Sequence, residues 1–176
     1  MSRLHFTVTG LPGAQGSKRH VGNGVMVESS KKVKPWRTDV KTAAETALIA
    51  SDTWDHCNPS AVDVHVTFLF QRPKSHYRTG ARADQLRDDA PYYVTSRAAG
   101  DLDKLLRSSL DALTAAGVIA DDSLVVTVIA NKRYTRRNER PGALFDLITV
   151  RNLDRLEVAE RREHALAPVY RGQAVS

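Results

Sequence analysis

The stretch GDLDKLLRSSLDALTAAGVIADDS, Gly100 to Ser123, decides how the chain is read. Leu102, Leu105, Leu106, Leu110 and Leu113 recur at three- and four-residue steps, the period of a helix with one apolar face. Gly117 follows the last of them, where a helix C-terminus favours a residue that tolerates positive φ. One helix is therefore predicted from Asp101 to about Ala116. The acidic pair Asp101/Asp103 sits at its start, and the pair Asp121/Asp122 lies just past its end. An aspartate at a helix start is ordinarily a cap or a partner of the helix dipole, and Asp-Asp-Ser after a helix is ordinarily a turn. Two features point beyond that. Asp103 is one carboxylate more than a cap requires, and both pairs lie in a chain of formal net charge +6. Carboxylates gathered in a basic protein suit a divalent metal working on a polyanion.

The order Gly100-Asp101-Leu102-Asp103-Lys104-Leu105, Leu110-Asp111-Ala112-Leu113, Ala116-Gly117-Val118 and Asp121-Asp122-Ser123 resembles the signature of the RusA family of Holliday junction resolvases. These are enzymes of bacteria, prophages and phages. The resemblance extends more weakly from Gly10-Leu11-Pro12 to the helix after Trp36 and covers about residues 4 to 150. It implies a homodimeric endonuclease of DNA recombination and repair that cuts four-way junctions. It implies a cytoplasmic location in a bacterium or phage-infected cell. It also implies that Asp101, Asp103 and Asp122 are catalytic. The family carries a catalytic lysine one helical turn after the second aspartate, and this chain has Arg107 there. Arginine keeps the charge but does not donate a proton near neutral pH. Lys104 is the neighbouring cation, so Lys104 and Arg107 are both candidates for neutralising transition-state charge. An ordinary pair of Arg107 with Asp103 or Asp111 is the plain alternative.

Phosphodiester hydrolysis needs an activated water, charge relief on the phosphate and stabilisation of the leaving oxygen, all of which a carboxylate-bound Mg²⁺ can supply. Mg²⁺ takes only one or two carboxylates directly, so three or four aspartates suffice. The expected metal set is Asp101, Asp103, Asp121 and Asp122, with Asp121 as a helper and Mn²⁺ as an alternative ion. A helix from Asp101 to Ala116 is about 24 Å long, and the chain from Ala116 to Asp122 reaches back roughly 20 Å if extended. Either the return is nearly straight, or the second chain of a dimer supplies part of each site. A four-way junction has approximate two-fold symmetry and needs two matched cuts, which suits a two-fold homodimer.

The chain of 176 residues is long enough for one domain with a real core. Its pI near 9.7 favours a polyanionic partner, nucleic acid before an anionic membrane. No apolar run approaches a membrane span, and MSRLHFTVTG does not read as a signal peptide. Cys57 is the only cysteine, which excludes an internal disulfide and a thiolate zinc site, and the six histidines lack metal-ligand spacing.

Leu4–Thr9 alternates as a first strand. Lys18 and Arg19 lie in a small-and-basic loop, before a hairpin turn at Gly22-Asn23-Gly24 and a return strand near Met26. Lys31, Lys32 and Lys34 follow, in a segment suited to phosphates or simply to solvent. A helix is predicted from Pro35 to about Ala50, with Arg37 and Lys41 on a face turned to DNA or to water. Ala61 to Phe70 alternates as a strand with Val62, Val64, Val66, Phe68 and Phe70 on its buried face. Residues 71–99 have little periodicity and read as a long mobile loop. Its basic residues, Lys74 and Arg78 among them, interleave with Tyr92 and Tyr93 and suit bases and phosphates. Leu124–Ala130 is apolar enough to be a strand buried on both faces, and Lys132 and Arg133 continue it as a basic DNA-facing turn. Residues 143–150 form the last strand, and 153–166 a polar helix before a tail.

The resulting expectation is an α+β fold: a single endonuclease domain over residues 1–152, with a mixed β-sheet, packed helices and a C-terminal extension over 153–176. The function expected is an Mg²⁺-dependent, structure-selective endonuclease cutting four-way junctions in pairs. The alternatives are an endonuclease for flaps or forks and a non-catalytic junction-binding protein.

Overall fold

The structure, a computed structural model, describes residues 2–16, 18–20, 26–28, 30–54 and 61–150. The expected C-terminal helix and the turn at Gly22-Asn23-Gly24 lie outside the described residues. The element order matches the one read from sequence: β1 (Arg3–Thr9), β2 (Lys18–His20), β3 (Met26–Glu28), α1 (Val33–Ile49), β4 (Ala61–Phe70), α2 (Leu102–Ala115), β5 (Val125–Tyr134) and β6 (Gly142–Val150). β2 and β3 form a separate two-stranded ribbon. The other four strands form one mixed sheet in the order β1-β6-β4-β5. β6 runs antiparallel to both β1 and β4, and β4 runs parallel to β5, the pair that needs the long crossover through α2. The protein is a single α+β domain. Among the described residues no helix is long and apolar enough to cross a membrane.

Alternation decides which sheet face is covered. Leu4, Phe6, Val8, Val62, Val64, Val66, Phe68, Ala143, Phe145 and Leu147 are buried, and both helices join the same core. Intervening residues such as His5, Thr7, Asp63, His65 and Asp146 are half-buried or exposed. Trp36 of α1 is fully buried, its ring 6.2 Å from that of Phe68, and its Nε1 donates to Ser109 Oγ of α2 at 3.1 Å. Ser108, also buried, donates to the Gly13 carbonyl at 2.7 Å. These two serines interrupt the apolar face of α2 because they tie it to α1 and to the loop of residues 10–16. Gly117 ends α2 at φ 71° as expected, with Val118 N–H donating to the Leu113 carbonyl at 3.1 Å.

The register fixes the sheet's polarity. β1 ends and β6 begins at the edge where β4 and β5 end, as the pairs Thr9↔Gly142, Leu69↔Gly142 and Phe70↔Tyr134 show. Both helices start at that edge: Gly13 lies against the Lys32 carbonyl, and Lys132 Nζ donates to the Gly100 carbonyl at 2.6 Å. α2 ends at the opposite edge, where Trp54 Nε1 donates to the Val118 carbonyl at 2.9 Å.

Two expectations are corrected. β5 is not buried on both faces but is an edge strand, with Val126 57% and Val128 39% exposed. Residues 71–99 are tied down at both ends rather than hanging free. Buried Arg72 donates to the Pro91 carbonyl at 2.8 Å and sits 5.2 Å from the Tyr134 ring centroid. Val94 N–H donates to the Lys132 carbonyl, and Tyr134 N–H to the Tyr92 carbonyl.

Candidate active site

Gly100 sets the start of α2. Its φ is 79°, and a Cβ there would stand 2.4 Å from Ala14 Cβ, so only glycine lets the loop of residues 10–16 cross at this point. Asp101 follows at the N-cap position with extended backbone angles, yet its side chain makes no capping hydrogen bond. It accepts instead from Lys104 Nζ at 2.5 Å, and its carboxylate is 65% exposed. That hydrogen bond and charge hold the Asp101 carboxyl below the usual range, with Lys132 adding to the effect. Lys104 is raised in return, first by Asp101 and then by Asp103. Asp103 lies in the first turn, exposed, with no hydrogen bond or ion pair among the described residues. Neither carboxylate is consumed by capping, so of the plain reading only the helix-dipole role of Asp103 in the first turn stands.

Arg107 stands one turn further along α2, in a cleft of about 630 Å³ between the helices that Lys34, Arg37, Lys41 and Asp111 also line. Asp111 pairs with Arg37, which also donates to Gln15 Oε1 at 3.1 Å. Arg107 has no ion pair among the described residues, so neither expected carboxylate partner holds it. Lys31 and Lys32 are exposed just before α1, and Lys74 is exposed just after β4. Arg78 faces exposed Asp88 at 2.8 Å, which offsets part of its charge. Lys18 and Arg19 lie on β2, of which only the backbone is described. The helix starts, Lys132 and the loop after β4 thus bring most of the expected cations to the edge that carries Asp101 and Asp103.

Arg133 departs from that expectation. It is 6% exposed and makes a two-pronged pair with Glu139 at 2.6 and 2.7 Å, so it holds its turn together instead of facing DNA. Glu139 also accepts from the Arg136 backbone N–H at 2.7 Å. Arg133, followed by that backbone donor, lowers the Glu139 carboxyl from 4.5 to about 2. A depressed carboxylate stabilises the fold above its unfolded value, and the contribution is lost as pH falls from about 4.5 to about 2. Glu139→Gln is expected to cost about 2 kcal/mol at pH 7, after allowance for partial solvent screening. Urea unfolding of both proteins at pH 7 and pH 3 checks this, with the difference shrinking at the lower pH.

Asp121 and Asp122 lie at the other edge. The Ser123 side chain and then its backbone N–H, from which Asp121 accepts at 2.8 Å, lower the Asp121 carboxyl, and both aspartates are exposed immediately before β5. β5 from Val125 to Lys132 spans about 23 Å at about 3.3 Å per residue. The structure therefore brings Asp101, Asp103, Lys104 and Lys132 together and leaves Asp121 and Asp122 about 20 Å away within the chain. Among the described residues no three His, Cys, Asp or Glu side chains of one chain lie close enough to hold a metal. Asp101 and Asp103 still fit Mg²⁺, which needs only one or two direct carboxylates and keeps several waters.

Sequence reasoning missed Arg72, whose position straight after β4 was the available signal.

A family model described as Endodeoxyribonuclease RusA matches residues 9–141. No curated protein matches the chain. The family match takes in both helices, the strands β4 and β5, and both acidic pairs. With uncapped carboxylates set among cations, it makes this an enzyme of DNA: the chain belongs to the RusA family of endodeoxyribonucleases, Holliday junction resolvases in general terms.

Proposed function

We propose that the protein is an Mg²⁺-dependent endonuclease that resolves four-way DNA junctions by paired, symmetric hydrolysis, working as a homodimer on DNA in the cytoplasm of a bacterium or phage-infected cell. The observation that carries this reading is the pair Asp101/Asp103. Both carboxylates are exposed and free of capping, at the helix start where Lys104 and Lys132 converge. Asp101 and Asp103, and Asp122 with its neighbour Asp121 where the homodimer brings that pair to them, are the residues to hold the metal, and Mn²⁺ is an alternative. A divalent ion held there supplies Lewis-acid chemistry to the scissile phosphate.

The chain's own groups do the rest. Asp101 stays ionised because Lys104 and Lys132 favour its charged form. Lys104 is close enough to Asp101 to bring positive charge beside a phosphate bound there. Arg107, fixed in charge and without a carboxylate partner among the described residues, suits a non-bridging phosphate oxygen, contributing charge but no proton. Lys31, Lys32, Lys34, Lys41 and Lys74 supply phosphate contacts that orient DNA without reading its sequence.

The test is cleavage of a labelled four-way junction with Mg²⁺, beside linear duplex, flap and fork. Preferred cutting of the junction supports the reading. Cutting confined to flaps or forks moves the substrate to other branched DNA, and tight junction binding without cutting makes the protein a non-catalytic binder.

The cations predict a salt response. Lys34→Ala is expected to weaken junction and duplex binding alike and to flatten the slope of log affinity against log salt by about 1. Titrations between 50 and 200 mM salt measure it. An unchanged slope removes Lys34 from the phosphate contacts.

A further inference from the structure

A hollow of about 270 Å³ opens beside Asp101, at the edge where both helices start. One wall is Ala98 and Ala99, in the tight turn that leads through Gly100 into Asp101. Ala99 N–H donates to the Ser96 carbonyl at 3.2 Å and Gly100 N–H to the Arg97 carbonyl at 3.0 Å, so this wall is tied to the carboxylate beyond it. Phe70 and Tyr134, the last residues of β4 and β5, and buried Pro12 add apolar sides. Tyr134 is braced: the Arg72 guanidinium lies 5.2 Å from its ring centroid, and the His76 ring meets it edge-on at 4.8 Å. The loop carrying Pro12 is pinned on both sides, Gly10 N–H donating to the Pro141 carbonyl and Gln15 N–H to the Lys104 carbonyl. The hollow is therefore built before any ligand arrives. Lys32, Gln71 and Ser96 line its exposed rim, and their side chains take no hydrogen bond among the described residues.

These features select the occupant. Sites for drug-sized ligands run to about 300–1,000 Å³, so this smaller one suits a single flat ring system. Aromatic and proline sides suit the face of a base, while Gln71 and Ser96 offer donors and acceptors to its edge. Lys32 is placed for the phosphate that carries the base, and among the described residues no Asp or Glu lines the hollow to repel it. Ala99 lies two residues from Asp101, at most about 7 Å of extended chain, so the base belongs to the scissile nucleotide or its immediate neighbour.

We propose that this hollow takes one unpaired nucleobase, extruded beside the scissile phosphate, and that Gln71 and Ser96 read its edge. This rests on the reading of Asp101 and Asp103 as the place of cleavage. It gives structure selectivity a physical origin. Extrusion from an intact duplex breaks a base pair and two stacks, whereas at a branch point stacking is already interrupted and the cost is least. The same contact makes cleavage depend on which base enters.

The test places 2-aminopurine, whose fluorescence stacked neighbours quench, at each position around the branch point of a four-way junction bound in EDTA. Fluorescence should rise at least about threefold at one position beside the branch point, and hardly elsewhere or in linear duplex. Ala98→Trp fills the hollow from an exposed position and should abolish the rise. With Mg²⁺ this variant should cut an ordinary junction at least about tenfold more slowly than wild type, yet within about twofold of it when the reporting nucleotide is abasic. Wild type should prefer one base at that position by at least about tenfold, and Gln71→Ala/Ser96→Ala should reduce this below about twofold. A rise at every position, a rise that survives Ala98→Trp, or a base preference undiminished in the double variant overturns the proposal. If wild type cuts the junction while no position reports, the nuclease reading stands and the base site falls. If one position reports and Ala98→Trp silences it while wild type cuts nothing, the base site stands and the nuclease reading falls.

Discussion

Asp103→Asn is expected to lower junction cleavage by at least about a thousandfold, with junction affinity equal to wild type or higher. Asparagine keeps the shape of the side chain and removes its charge. Asp103 is exposed and has no ion pair or capping role among the described residues, so the fold should not notice the change. What is lost is one of two carboxylates that can hold a divalent ion at the helix start, and with it charge relief on the phosphate. What is gained is less repulsion of a polyanion. Single-turnover cleavage, with binding measured in EDTA, separates the two effects. A variant that cuts at the wild-type rate would take Asp103 out of the site.

Trp36→Ala is expected to have the largest effect on stability, a loss of about 3–5 kcal/mol. Trp36 is fully buried where α1, α2 and β4 meet, against Phe68 and hydrogen-bonded to Ser109. Truncation removes the ring's contacts with all three elements and leaves a cavity that the sheet below cannot collapse to fill. A domain of this size has only about 5–15 kcal/mol of total stability, so the melting temperature should fall by about 10 °C or more. The same scan on Asp103→Asn should show no such fall, which separates a damaged fold from a damaged site. A Trp36→Ala protein that melts with wild type would mean that the three elements do not meet at this side chain.

Where the sequence is periodic, it could be read. The alternation of β1 and β4 and the leucines of α2 each follow from one covered face, and the structure keeps those faces. The glycine stop at Gly117 is equally local, since a positive φ there favours a residue without Cβ. β5 failed the same reading for a physical reason. Val125–Ala130 looks apolar enough for a central strand, but composition does not tell a strand with neighbours on both sides from one at the sheet's edge. Arg133 failed similarly: a run of basic residues looks DNA-facing until Glu139, six residues on, comes back to neutralise it. The aspartates divide in two. Their place at the start and just past the end of α2 was legible from the leucine period, whereas the distance between the pairs depends on how α2 lies along β5, which no local pattern encodes. Arg72 shows the converse, a buried cation that anchors a loop the sequence presents as unstructured.

The measurement that bears most directly on the central claim is the cut pattern on a four-way junction labelled on both opposing strands, treated with wild-type protein with and without Mg²⁺. The account predicts cuts at matched positions on the two strands, absent without the metal. Junction binding with no cut on either strand, in Mg²⁺ or Mn²⁺, would contradict it.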